Sequence, residues 1–336
     1  MRLIKISIAA VLLLGLILGI SIVVLGRSDN GPIHPLFGLL NHFFSDEEAM
    51  ESAISTELTD AEALADRRKF VDRFYKLAMP TTFSGEITDA RIDTGDRHIP
   101  VRVYRPPDAE NLPVLLYFFG GGWIYGSIDA VDGVAKYISQ RAQVVVVSVG
   151  YRLAPEHPFP AAIDDAYSAL LWAQANATMF GGDPNKLAVA GDSAGGNISA
   201  VLTLLTRDRK GPKIGYQGLI YPVTNAQSQA SDAGEPRAML RAYAPGQDLA
   251  NPYLSPLLAD SHEGLPPGIV ITAQHDELLQ EGKAYAEKLK AAGVDIEYVN
   301  FDTMGHGFIS MIGVVSAANE ALDKIAVGIR KAFPAL

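Results

Sequence analysis

A serine placed between two glycines is the feature of this sequence that most directly indicates chemistry. Ser193 is the centre of Gly-Asp-Ser-Ala-Gly at residues 191–195, directly after the apolar run 187–190. The run predicts a buried strand, and apolar residues at helical spacing over 195–207 predict a helix after it. The two glycines, which have no β-carbon, allow a sharp turn between strand and helix. Ser193 would then be exposed above the helix N-terminus, where its hydroxyl can attack and the helix amides can stabilise negative charge.

Two later loops contain the partners that such a serine needs. A serine hydroxyl is a poor nucleophile at neutral pH and requires a base, usually a histidine that a carboxylate orients. Asp276 follows the predicted strand 268–272, and His306 follows the predicted strand 296–301. Both loops lie at the carboxyl ends of their strands, where parallel sheets place their sites. Ser193, Asp276 and His306 are therefore the candidate nucleophile, acid and base.

Three nearby residues are alternatives for two of these roles. Glu277 and Asp302 are competing acids, but Asp276 comes directly after its strand and is favoured. His275 is a competing base, but it precedes the acid and lies on a turn. His306, which glycines flank after the last predicted strand, is therefore favoured as the base.

A glycine-rich loop supplies candidate donors for the negative charge that attack on an acyl carbon creates. Such an oxyanion must be bonded by preorganised donors. One is the amide of Ala194, the residue after the serine. Others are expected from residues 120–122, three consecutive glycines after the predicted strand 114–119, because glycines present their amides without obstructing side chains. Trp123 and the apolar strand would hold this loop from both sides.

The elements that must position these residues alternate between strands and helices. An initial hairpin turns at residues 94–96, and most later strands are continuous apolar runs, as expected for strands that are covered on both faces. The predicted strands are residues 86–93, 99–104, 114–119, 144–149, 187–190, 218–221, 268–272 and 296–301. The predicted helices are residues 127–142, 160–176, 195–207, 280–292 and 314–333. This order predicts an α/β protein with a mostly parallel, doubly wound sheet flanked by helices.

Two regions are expected to lie outside the predicted sheet. Capping boxes at 45–48 and 59–62 each predict the start of a helix before the first strand. Residues 27–83 are therefore interpreted as a tether with N-terminal helices. Residues 225–252 lack a strong period and are interpreted as an insertion lying over the sheet. Residues 84–336, with that insertion, form the predicted catalytic domain.

The N-terminal 26 residues are predicted to be a membrane anchor or a signal segment. Residues 6–26 carry no charge over 21 positions and follow Arg2 and Lys5. As a helix this segment would be about 31 Å long, close to the thickness of the hydrocarbon core of a bilayer. An uncleaved anchor is favoured over a cleaved signal, whose apolar region is usually about 7–15 residues. The charge distribution predicts a catalytic domain outside the inner membrane, in the periplasm, or an exported protein if the segment is cleaved.

Composition excludes several classes of function. The net charge of −10 argues against nucleic acid as a partner. The absence of cysteine excludes disulfides and thiolate metal sites. The oligomeric state is left open by the sequence.

Taken in order, several stretches resemble the hormone-sensitive-lipase family, the bacterial carboxylesterases of the α/β-hydrolase fold. The matching stretches are residues 119–123, 151–162, 191–196, 255–257, 276–278 with 281–282, and 306–308. The resemblance implies an α/β-hydrolase fold with a small helical cap over an acyl pocket, formed by the N-terminal cap helices within 27–83 and the insertion at 225–252. It implies these roles: nucleophile Ser193, acid Asp276, base His306, and oxyanion-binding amides of Gly121, Gly122 and Ala194.

The resemblance also implies an activity. The chain is expected to be a serine carboxylic-ester hydrolase that acts on short to medium acyl esters through an acyl-enzyme. Its partner is a small-molecule ester, and no metal or organic cofactor is expected. Two alternatives remain open: an amidase or acyltransferase with the same three residues, and a non-catalytic ligand receptor on the same fold.

The chain departs from the family pattern at Phe119. The family usually has His-Gly-Gly-Gly, and that histidine is understood to brace the glycine loop. A phenylalanine could brace the loop by packing, but its side chain cannot form a hydrogen bond. We therefore expect that the oxyanion loop is retained, but that packing replaces the hydrogen bond that braces it in the family. The insertion at 225–252 also looks shorter than is usual in the family.

Overall fold

A single eight-stranded sheet forms the centre of the protein. The structure, a computed structural model, describes residues 27–28, 31–35, 47–78, 81–229 and 237–334. The strands of this sheet are β1 (Glu86–Asp93), β2 (His98–Arg105), β3 (Leu112–Phe118), β4 (Val145–Val149), β5 (Gly182–Asp192), β6 (Ile214–Ile220), β7 (Gly268–His275) and β8 (Ile296–Gly305). The helices are α1 (Glu47–Glu57), α2 (Ala61–Ala78), α3 (Asp132–Ala142), α4 (Ala161–Asn176), α5 (Ala194–Asp208), α6 (Ala238–Tyr243), α7 (Leu279–Ala291) and α8 (Ser316–Ala332).

The strand order brings the predicted site residues to one edge. The order across the sheet is β1-β2-β4-β3-β5-β6-β7-β8. β2 runs antiparallel to both of its neighbours, and the pairs from β4 to β8 are parallel. The predicted mostly parallel, doubly wound sheet is thus confirmed. Because β3, β5, β7 and β8 point the same way, the loops that follow them meet at the carboxyl edge.

Helices cover both faces of the sheet, as the apolar strands require. Successive residues of a strand point to opposite faces. At the centre of β6, a side chain on Gly218 would meet Ile325 of α8, whereas Leu219 packs in a buried cluster with Leu204 of α5. α5 and α8 therefore lie on opposite faces, and the sheet between them forms the core.

The structure extends or shortens several predicted elements. β5 begins at Gly182 rather than at residue 187, and α3 begins at Asp132 rather than at residue 127. β8 continues to Gly305, with a register shift against β7 between Phe301 and Gly305. Such a bulge bends a strand and redirects the side chains after it. The residue that directly follows this shifted pairing is His306, the predicted base.

The second predicted capping box is wrong in detail. Asp60 caps α2, because its Oδ1 accepts hydrogen bonds from the amides of Glu62 (3.0 Å) and Ala63 (3.1 Å). Thr59 instead donates its hydroxyl to the carbonyl of Thr56. The cap lies one residue later than predicted because the helix begins at Ala61, which makes Asp60 its N-cap. The predicted box at 45–48 lies partly outside the described residues.

α1 and α2 contact the insertion and the loops beside the sheet. Glu51 of α1 accepts a hydrogen bond from the amide of Ala238, the first residue of α6. Arg68 of α2 donates to the carbonyls of Ile124 and Ala154, both at 2.8 Å. It also forms an ion pair with Glu156 at 2.7 Å. The predicted insertion therefore lies against α1, although its residues 230–236 are outside the described part of the chain.

No helix within the described segments is long and apolar enough to cross a membrane. A span requires about 20 predominantly apolar residues. Even α2, which has 18 residues, carries charged side chains such as Glu62 and Arg68. The predicted anchor, and the inner-membrane, periplasmic or exported localisation that rested on it, are corrected accordingly: the described part of the chain gives them no support. Residues 6–26, on which that prediction was based, lie outside the described residues.

Candidate active site

Ser193 lies at the tight turn between β5 and α5. Its backbone is held at φ 54°, ψ −119°, a region that non-glycine residues rarely occupy. A β-carbon on Gly195 would lie 2.0 Å from the carbonyl oxygen of Phe118, and one on Gly191 would lie 2.4 Å from the carbonyl carbon of Gly195. Because both approaches are to backbone, only glycine fits at either position. The turn that the pentapeptide predicts is present, but Ser193 is buried there rather than exposed.

Three residues from separate loops meet at this turn. His306 Nε2 lies 3.0 Å from Ser193 Oγ, and His306 Nδ1 lies 2.8 Å from Asp276 Oδ2. The other oxygen of Asp276 accepts the amide of Leu278 at 2.9 Å. The carboxylate is thereby fixed on one side by backbone and on the other by the imidazole. The structure thus brings together the predicted nucleophile, acid and base.

The surroundings of His306 favour its protonated form. The Asp276 side chain is fully buried, whereas that of His306 is 42% exposed. Desolvation alone would lower the pKa of His306. The charge and hydrogen bond of Asp276, together with the charges of Glu277 and Asp192, outweigh desolvation and raise this pKa above its usual value. An imidazole in this position accepts a proton readily.

The three competing residues are engaged elsewhere. Glu277 forms an ion pair with Arg237 at 2.5 Å, and Asp302 is exposed on β8. His275 Nε2 lies 2.8 Å from the carbonyl oxygen of Pro32. The charge of Glu277 acts on His306, but Asp276 and His306, rather than any of these three, form the hydrogen-bonded arrangement with Ser193.

The glycine loop after β3 lies directly against Ser193. A β-carbon on Gly120 would lie 3.1 Å from that of Ser193. Gly121 and Gly122 follow with φ of 120° and 61°, the left-handed region that glycine adopts without strain. No acceptor within the described residues pairs with the amides of Gly121, Gly122 or Ala194. The amide of Ala194 is one of the first in α5 and so has no acceptor within the helix.

Asp192 is a buried residue of this site that sequence reasoning missed. Its Oδ1 accepts hydrogen bonds from the hydroxyl of Tyr117 (2.8 Å) and the amide of Gly120 (3.2 Å). Burial raises the pKa of Asp192 against the opposing effect of these donors. The carboxylate therefore links the start of the glycine loop to the serine turn. An acidic residue directly before the nucleophile, at the end of an apolar strand, was the available signal.

The support of the loop at Phe119 comes from a tyrosine. The Phe119 ring stacks on that of Tyr151, with centroids 4.3 Å apart and planes at 20°. The Tyr151 hydroxyl donates to the carbonyl of Phe119 at 2.7 Å. Both residues are buried. The phenylalanine thus braces the loop by packing, as its type allows, and Tyr151 supplies the hydrogen bond that the Phe119 side chain cannot make.

The far side of the loop is held by the predicted insertion. The Trp123 ring stacks on Tyr243 of α6, with centroids 4.3 Å apart and planes at 1°. The sulfur of Met239 would lie 2.3 Å from a β-carbon on Gly122. This contact places a flexible apolar side chain over the loop. The stacking of Trp123 on Tyr243 agrees with the prediction that Trp123 helps to hold the glycine loop.

The fold and this arrangement define an α/β hydrolase. A family model for the alpha/beta hydrolase fold matches residues 115–310, and the chain belongs to that family. The chain is 47% identical over 253 residues to the carboxylesterase NlhH of Mycobacterium tuberculosis, covering 70% of this chain and 79% of that protein. It is 41% identical over 260 residues to the esterase LipI of the same organism, covering 73% of this chain and 81% of that protein.

A solved structure agrees with these sequence relatives. This structure is EstE1, a thermostable carboxylesterase cloned from a metagenomic library. It is 39% identical in sequence to this chain and superimposes with a TM-score of 0.76. The match covers 81% of this chain and 98% of the EstE1 chain. These similarities confirm the predicted fold class and the resemblance to the hormone-sensitive-lipase branch. They also confirm the prediction of a hydrolase of the carboxylesterase type. They lend no support to the predicted anchor.

Proposed function

We propose that this chain is a serine carboxylesterase that cleaves esters of short to medium acyl chains through an acyl-enzyme on Ser193. The observation that carries the proposal is the placement of His306 between Ser193 Oγ at 3.0 Å and Asp276 Oδ2 at 2.8 Å. With Nδ1–H donating to Asp276, Nε2 is unprotonated and can accept the serine proton. The carboxylesterase and esterase names of the relatives support the same reaction.

The reaction runs in two halves on these groups. Ser193 Oγ attacks the ester carbonyl carbon while His306 Nε2 takes its proton. The imidazolium, stabilised by Asp276, then gives that proton to the leaving alcohol as the carbon–oxygen bond breaks. Water attacks the acyl-enzyme with His306 again as base, and the acid leaves with Ser193 restored.

The oxyanion of both halves is assigned to the amides of Gly121, Gly122 and Ala194. These amides lack acceptors within the described residues and flank the serine turn. Loss of one such donor costs on the order of 10²–10³ in rate. Asp192 and Tyr151 act indirectly, by holding the loop that presents two of the three amides.

α1, α2 and the insertion are proposed to form the cap over the acyl pocket. The contact of Glu51 with the N-terminus of α6 and the stacking of Tyr243 on Trp123 support this division. Met239 limits the space above Gly122. An acyl chain of modest length suits a pocket that an apolar side chain restricts in this way.

The test is hydrolysis of p-nitrophenyl esters of graded chain length, beside the matching anilides. We expect serine-dependent turnover of the short esters, a loss of at least about 10⁴ in kcat for Ser193→Ala, and little turnover of anilides. Ser199→Ala is the matched control, because Ser199 lies on the same helix and bonds only the Gly195 carbonyl. Intact mass after a rapid quench should show one acyl group, mapped to Ser193. Ester turnover that survives Ser193→Ala would overturn the proposal, and anilide turnover exceeding that of esters would replace it with an amidase.

A further inference from the structure

An aromatic ring lies against the imidazole of His306. The Tyr221 and His306 ring centroids are 4.7 Å apart, with the planes tilted by 52°. Tyr221 is buried and also contacts Phe308 edge to face, with centroids 5.6 Å apart. The tyrosine ring is therefore held between the imidazole and an aromatic residue that follows it in the chain.

The backbone of Tyr221 is fixed in an unusual conformation. Its φ is 32°, a sparsely populated value for an aromatic residue, of the kind that persists where the surroundings determine it. Its amide donates to the carbonyl of Ile271 in β7 at 2.6 Å. The carbonyl of the preceding residue, Ile220, accepts the amide of Ser193 at 2.9 Å. Tyr221 is thereby anchored to the same strands that carry Ser193 and Asp276.

The charged groups that act on His306 come from two elements. Asp276 and Glu277 follow β7, and Asp192 ends β5. Tyr221 contributes a neutral π system from the end of β6. A cation within about 6 Å of the centroid of an aromatic ring is attracted by the ring quadrupole. The imidazole becomes such a cation each time it takes the proton of Ser193 or of water.

We propose that Tyr221 is a positioning residue for His306. The Tyr221 ring orients the imidazole by contact, and the π electrons of the ring stabilise the protonated form of the imidazole. The catalytic part of this assignment rests on the proposed esterase function. The effect of the ring on the pKa of His306 does not rest on that function, because this pKa is a property of the protein without substrate. The ring, rather than the hydroxyl, carries the effect.

The first test compares Tyr221→Leu with Tyr221→Phe in the full chain. The titration of His306 is followed by NMR of labelled histidine, and the pH profile of kcat/KM is measured beside it. For Tyr221→Leu we expect the pKa of His306 and the acid limb to move down by about half a pH unit. We expect kcat to fall roughly two- to fivefold, with KM unchanged. Tyr221→Phe should match the parent, since it keeps the ring.

A second histidine–tyrosine pair gives a matched control. Tyr285 is buried and lies edge to face with His262, their centroids 5.5 Å apart. Tyr285→Leu removes a ring of similar burial that packs in a different cluster from Tyr221. It should lower thermal stability while the titration of His306 stays in place. An equal shift in Tyr285→Leu would overturn the proposal, because the effect would then be general loosening.

Fluorinated phenylalanines at position 221 keep the proposal testable if Tyr221→Leu fails to fold. Each added fluorine withdraws electron density from the ring with little change in its shape. The pKa of His306 should fall stepwise with fluorination, and a pKa that does not respond would refute the role of the ring. A failure of the esterase proposal would appear differently, as ester turnover that Ser193→Ala leaves intact.

Discussion

Tyr151→Phe tests whether the glycine loop is held by the hydroxyl that bonds the Phe119 carbonyl. The substitution removes one buried hydrogen bond of 2.7 Å and keeps the ring that stacks on Phe119. Leaving a buried carbonyl without its donor costs about 1–3 kcal/mol. If all of this free energy positions the loop amides, kcat falls by about 5- to 150-fold. We expect about tenfold, because the Gly120–Asp192 bond and the ring stack remain.

The assay is kcat and KM for a short p-nitrophenyl ester together with the thermal midpoint. Tyr104→Phe is the matched control. Tyr104 lies on β2, away from the carboxyl edge of the sheet. Its hydroxyl donates a hydrogen bond to the carboxylate of Asp132 at 2.9 Å. Both variants should lose stability, but only Tyr151→Phe should lose kcat, with KM little changed. If Tyr151→Phe lowers the midpoint as Tyr104→Phe does and keeps kcat within about twofold, the hydroxyl supports the fold and not the loop geometry.

Two further predictions concern the base and the altered loop residue. Because the pKa of His306 is raised above 6.5 and the neutral imidazole is the base, kcat/KM should rise with pH through a midpoint above 6.5. Glu277→Gln removes one of the charges that raise this pKa, so the midpoint should move to lower pH. The control variant Glu297→Gln on β8 should leave the midpoint in place. An upward shift in Glu277→Gln would contradict the assignment of His306 as the base. Phe119→His should keep kcat within about twofold, because Tyr151 still bonds the loop, and should lower the thermal midpoint, since a polar ring replaces a buried apolar one. A large gain in kcat would show instead that the phenylalanine weakens the loop.

The order of the site along the chain was predictable because it depends on local patterns. Ser193, Asp276 and His306 each follow an apolar run that reads as a buried strand, and a parallel sheet necessarily gathers such positions at one edge. The competing roles of Glu277 and His275 were separable only by their partners in the structure. Local sequence describes the position of a residue in its element, but not the neighbour that it meets across the fold.

The support of the site was not predictable for the same reason. Tyr151, Arg68 and Asp192 act through contacts with residues 32 to 86 positions away. The bulge that redirects the end of β8 arises from pairing with β7 and has no signature in the residues 302–305 themselves. The cap of α2 at Asp60 was missed because two adjacent residues, Thr59 and Asp60, both have side chains suited to the position. Tertiary pairing decides the first two of these features, whereas the cap is a local choice between two adjacent residues.

The guanidinium of Arg68 has a consequence for how such an enzyme can change over evolutionary time. One side chain of a helix outside the sheet bonds the carbonyls of Ile124 and Ala154, directly beside the loop that carries Gly121 and Gly122. If that helix belongs to the proposed cap, deleting it would open the acyl pocket to larger substrates, and it would also remove both hydrogen bonds beside the glycine loop. A lineage that broadens its substrate range by shortening this end of the chain must first acquire another donor for those two carbonyls. Because one side chain connects the helix to the glycine loop, a change at Arg68 would affect the substrate range and the catalytic rate together.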